Sequence, residues 1–88
     1  MKLIEIAQIY TDLVKVHDEI PDIESVAKEE VGSLRSKYHQ ALMDKMLEEG
    51  IEFADRFDAM NRAFELVKNE SRNGIVQSLA NHFGKSGS

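Results

Sequence analysis

The sequence predicts an all-α fold, a small bundle of three to four helices built around a helical hairpin and completed by oligomerisation. Three observations predict it. Through residues 31–67 an apolar side chain recurs every three or four positions, at Val31, Leu34, Tyr38, Leu42, Met46, Phe53, Phe57, Met60, Phe64 and Val67, which is the period of a helix face. Only Gly50 interrupts that period. The 88 residues leave room for one domain, and a hydrophobic content of 42% is that of a folded chain rather than a disordered one. A domain of this size buries only about 60–65% of its unfolded surface, so surplus apolar helix face calls for a partner. The expected organisation is a single helical domain over 1–84 with a flexible tail at 85–88.

The first helix covers residues 3 to about 19. It sets Leu3, Ile6, Ala7, Tyr10, Leu13, Val14 and His17 along one face, with Glu5, Gln8, Asp12 and Lys15 mostly opposite. Ile4, Ile9 and Val16 widen that face beyond what a small bundle can cover and are the candidate oligomer interface. Pro21 ends the helix, because a residue before proline is driven out of helical backbone angles. Asp22 is the expected N-cap of the second helix, and Glu24 the expected outward partner of Lys28 four residues on. That helix should carry Ile23, Val26, Ala27, Val31, Leu34, Tyr38, Ala41, Leu42 and Met46 inward. Gly32 lies in its interior, at a cost of about 1 kcal/mol relative to alanine, which marks either close approach of another backbone or simply a tolerated weakness.

At Gly50 the chain either turns or continues as one rod. A left-handed glycine there would bring Ile51 against Met46, the hydrophobic contact that accompanies a Schellman stop, so the turn is preferred. It would fold Phe57, Met60 and Phe64 back onto Leu42, Tyr38 and Leu34. The third helix is then a phenylalanine-rich stripe through Phe53, Phe57, Met60, Phe64 and Val67, with Asp58 and Arg62 paired outward. After 71–74, which read as a bend, Ile75, Val76, Leu79, Ala80 and Phe83 form a short fourth amphipathic helix that Gly84 ends.

The net charge is −5, with fourteen acidic against seven basic side chains up to Asp58 and four basic against two acidic after it. Such an acidic body cannot track a phosphate backbone, so nucleic acid is not the expected ligand of residues 1–58. There is no cysteine, which removes disulfides, thiolate metal sites and a cysteine nucleophile. Glu5 breaks the N-terminal apolar run too early for a secretory signal, and no run of about 18 apolar residues exists to cross a bilayer, so the expected location is cytoplasmic.

His17, His39 and His82 are far apart, and none has a carboxylate or histidine at helical ligand spacing on its N-terminal side. No metal or cofactor is expected. Asp44, Glu48, Glu49, Glu52, Asp55 and Asp58 gather around Gly50 as a candidate patch for a basic protein surface. Nucleophile-elbow and phosphate-loop motifs are missing, and no enzymatic activity is expected. Residues 75–86, from Ile75 through Leu79-Ala80 and Phe83-Gly84 to Ser86, resemble the first helix and turn of a helix-turn-helix. That resemblance implies an alternative role, a DNA-binding transcription regulator whose dimerisation helices are the remainder of the chain. The leading expectation is a non-enzymatic protein-protein interaction module: a small acidic adaptor, regulator or inhibitor that forms homo-oligomers.

Overall fold

Two backbone constraints set the path of the chain, a proline at 21 and a left-handed glycine at 50. The computed structural model describes residues 1–70, which form three packed helices with no strand among them. α1 spans Leu3–Glu19, α2 spans Ser25–Glu48, and α3 occupies 56–70. The expected fourth helix, its stop at Gly84, the tail and the helix-turn-helix-like string all lie outside the described residues.

At the start of α1, Glu5 reaches back and its carboxylate accepts the Lys2 N–H at 3.0 Å, satisfying one of the donors that a helix leaves open at its N-terminus. Ile6, Ala7, Tyr10 and Thr11 are buried, and the Thr11 hydroxyl donates to the Gln8 carbonyl at 3.1 Å. Ile20, at φ −72° and ψ 124°, is extended as the residue before proline must be.

The second helix begins later than the sequence suggests. Asp22 does not cap it; its carboxylate pairs instead with Lys28 Nζ at 2.7 Å. Lys28 also approaches the Ile20 carbonyl at 3.5 Å, so one cation serves both the C-terminal carbonyls of α1 and the loop acid. This draws Lys28 away from Glu24, which occupies the N-cap position of α2 without a side-chain hydrogen bond. The other end of α2 is the Schellman stop. Gly50 has φ +74°, Ile51 N–H donates to the Met46 carbonyl at 2.8 Å, and Gly50 N–H donates to the Leu47 carbonyl at 3.1 Å. Ile51 packs against the core.

α1 and α2 form an antiparallel hairpin, closed at Pro21 and open at Met1 and Glu48. The third helix departs from expectation. From Gly50 the chain doubles back without helical structure through 51–55, and α3 begins beside His39, whose Nε2 lies 3.1 Å from the Arg56 carbonyl. Further along, Arg62, Leu66 and Asn69 line a small cleft with Met46 and Ile51. α3 therefore runs in the same sense as α2, the reverse of the fold-back expected from the apolar stripe. Seven non-helical residues can span roughly 23 Å, while 39 to 49 covers only about 15 Å of helix, so the return is easily made.

Reversing α3 changes which of its faces is buried. Ala59 and Ala63 have no exposure, Phe57 is 73% exposed, and Phe53 packs on the core from the loop rather than from the helix. Small side chains at the contact let α3 approach the hairpin closely. The core is Ile6, Ala7 and Tyr10 from α1, Leu42, Met43 and Met46 from α2, and Ala59 and Ala63 from α3. All of it lies toward the open end. Toward the closed end, beyond the reach of α3, Ile23 is 91% and Val26 70% exposed, and Leu34 and Val16 are also exposed. Leu34 and Val26 were expected inward, as was Ile23, and each is turned out.

Candidate functional site

Leu42 and Met46 have no exposure and so fix the face that α2 presents to α1. Stepping back by alternate threes and fours, that face continues through His39, Arg35, Gly32 and Lys28. The half of the seam nearest the closed end is therefore polar on the α2 side. The ring of His17 lies against Gly32, where an added Cβ would sit 3.5 Å from Nε2. A side chain, not a second backbone, is what approaches this glycine.

At mid-hairpin Tyr10 and His39 meet across the seam, with ring centroids 4.8 Å apart and the Tyr10 hydroxyl 3.3 Å from His39 Nδ1. A carbonyl can only accept, so His39 Nε2 carries the proton that it gives to Arg56; Nδ1 of the neutral ring then accepts from Tyr10. Burial holds His39 below its ordinary pKa, opposed by the Arg56 carbonyl bond and assisted by the charges of Arg56 and Arg35. Burial likewise pushes the Tyr10 hydroxyl up, against the pull of the two arginines. Tyr10, Arg35, His39, Arg56, Phe57 and Met60 together line a concavity of about 360 Å³. It joins two guanidinium groups to an exposed aromatic ring, on a chain whose net charge is negative.

The acidic side chains expected to form a patch differ in the bonds they make. Asp55 is the N-cap of α3, accepting the Asp58 N–H at 2.8 Å; Asp58 accepts the Ala54 N–H at 2.8 Å and pairs with Arg62 at 3.2 Å. Those two bonds hold the Asp58 carboxyl below the usual range. Asp44 accepts from Gln40 at 2.9 Å, and Glu48 lies 3.5 Å from Lys45. Glu49 and Glu52 are exposed. Of the candidate oligomer residues, Ile4 and Ile9 are half-buried and Val16 is exposed, and they are spread along about 18 Å of α1 rather than gathered at one point.

Arg35, His39 and Arg56 were not among the expected site residues. The signal for two of them is the spacing of 35, 39, 42 and 46, which places Arg35 and His39 in line with the two most buried side chains of α2. Nothing in the local pattern puts Arg56 beside them, since that depends on the return of the chain through 51–55. Among the described residues no group of three or more His, Cys, Asp or Glu side chains is arranged to hold a metal ion, and no helix is long and apolar enough to cross a membrane. No family model matches the chain, and no curated protein or solved structure matches it at a significant level.

Proposed function

We propose that the chain is a non-enzymatic protein-protein interaction module, acting as an adaptor, regulator or inhibitor. The observation that carries this reading is exposed apolar surface on a hairpin that α3 covers only in part: Val16, Ile23, Val26 and Leu34 are exposed toward the closed half, as are Met1 and Leu47 at the open end. Scattered apolar side chains are ordinary on a surface, but so many on so small a fold, with Ile23 and Val26 close together at the closed end, favour a partner. The concavities are bounded by surface side chains and admit water, which suits docking better than chemistry that must exclude solvent. A second copy of the chain is one partner this reading admits, with Ile4, Ile9 and Val16 as its original candidates. The acids not used in capping α3, namely Asp44, Glu48, Glu49 and Glu52, would steer a basic surface toward the open end.

Affinity capture from the native host tests the reading, with the captured protein then purified and its binding measured directly. Ile23→Ser combined with Val26→Ser should keep the helical signal and melting temperature and lose the captured protein. Equal capture by the double variant contradicts it. Light scattering over a wide concentration range shows whether a second copy is the partner. The DNA-binding alternative rests on 75–86 and draws no support from residues 1–70.

A further inference from the structure

The groove at mid-hairpin has a composition that folding alone does not account for. Arg35 sits on the inward stripe of α2 in line with Leu42 and Met46, a position where an apolar side chain would extend the core, and Arg56 is brought to the same groove from the first turn of α3. Among the described residues no carboxylate pairs with Arg35 or Arg56, and unlike the lysines that are also unpaired these two line one concavity together. Two like charges beside one concavity add to a positive potential there, which favours an anion. Both nitrogens of His39 are occupied by Tyr10 and by the Arg56 carbonyl, which leaves the guanidinium groups as the donors of the groove without an acceptor among the described residues. Phe57 stands at the rim 73% exposed, and Met60 is half-buried beside it.

We propose that this groove seats an acidic peptide segment of a partner protein, with a carboxylate between Arg35 and Arg56 and a neighbouring apolar side chain against Phe57 and Met60. The inference rests on the interaction reading given above and names the partner chemistry for one surface of it. Guanidinium groups match carboxylates in a planar, two-bond geometry, and the positive potential of the two arginines favours an anion there. A small free anion would satisfy the charges and leave Phe57 uncovered. A segment that carries both acid and apolar side chains covers both, with the aromatic and arginine side chains that dominate interface energetics.

The test is a titration of the intact protein with a labelled acidic peptide, GSDELFDEGS, and its amide counterpart, GSNQLFNQGS, followed by fluorescence anisotropy and by backbone amide shifts. The acidic peptide should bind and move the amides of Arg35, His39, Arg56 and Phe57, and the amide counterpart should bind about tenfold or more weakly, the factor expected for loss of a charged hydrogen bond. Arg35→Gln and Arg56→Gln should each weaken binding by a similar factor, and Phe57→Ser should weaken it with helical content unchanged. Higher salt should weaken the wild type more than either arginine variant. Equal binding of the two peptides, or binding that survives both arginine substitutions with shifts mapping elsewhere, overturns the groove and leaves the interaction reading standing. If inorganic phosphate alone competes at the concentration of the peptide and Phe57→Ser changes nothing, the site is one for a small anion and the peptide proposal fails. Failure of the acidic peptide to bind overturns the proposal as well, and the capture experiment then decides the wider reading independently.

Discussion

Two glycines in this chain do opposite things. Gly50 has φ +74°, and no atom lies within 4 Å of where a Cβ would stand, so the cost of Gly50→Ala is conformational alone. It should destabilise the protein by about 1–2 kcal/mol. Gly32 lies inside α2 with helical backbone, and a Cβ there meets the His17 ring at an ordinary 3.5 Å. Gly32→Ala should stabilise by up to about 1 kcal/mol. Urea unfolding at fixed protein concentration checks both, and the same sign for the two would contradict this account of either turn or helix. His39 supplies a pH dependence. Its neutral form is the one held between Tyr10 and Arg56, and its folded pKa lies below the ordinary 6.5. A depressed folded pKa means that the unfolded chain binds the proton more readily; the contribution is fully present above 6.5 and is lost as pH falls toward the folded value. Arg35 and Arg56 face the same ring and act in the same direction. Stability followed from pH 7.5 to 5 should fall in the wild type and fall less in His39→Gln; equal slopes would remove His39 from the explanation.

At the scale of elements, α3 depends on its cap. Asp55→Ala should cost about 0.5–2 kcal/mol through loss of the bond to the Asp58 N–H, and Asp55→Asn only a fraction of that. The buried face of α3 is tested by a pair of changes. Phe57→Ser should alter stability by no more than about 0.5 kcal/mol, because the ring is exposed, whereas Ala63→Met should cost about 1–3 kcal/mol by overfilling a closed contact. The opposite ranking would restore the phenylalanine stripe as the core. These residues also show what the sequence could reveal. The helices, the proline stop and the Met46–Ile51 closure at Gly50 are written in local chemistry and were legible. The Asp55 cap is hard to read from sequence, because six acids crowd the Gly50 turn and any of them reads equally well as part of a charged patch. The burial of Ala59 and Ala63 was not legible. An apolar stripe says that a face is hydrophobic, but when a loop carries Phe53 back to the core and helices meet through alanine, the largest side chains are left at the rim. The Arg35–His39 line was visible in spacing but carried polar residues where a core reading looks for apolar ones.

For the whole molecule, one geometric fact connects fold to function: α3 runs in the same sense as α2. That direction brings Arg56 to His39 and Arg35, so it creates the mid-hairpin groove, and it draws α3 away from Pro21, so α3 does not cover the closed end of the hairpin. Both proposed surfaces depend on that direction. The chain has no cysteine, so pairs of cysteines can be introduced for spin labels without a background. Ser33, Glu48 and Asn69 are all exposed, and 33 and 48 stand about 22 Å apart along α2. Electron-electron distance measurements on the labelled pairs 48–69 and 33–69 test the direction of α3 most directly. The account predicts that 48–69 is the shorter distance by a margin of that order; a 33–69 distance shorter than 48–69 would contradict it.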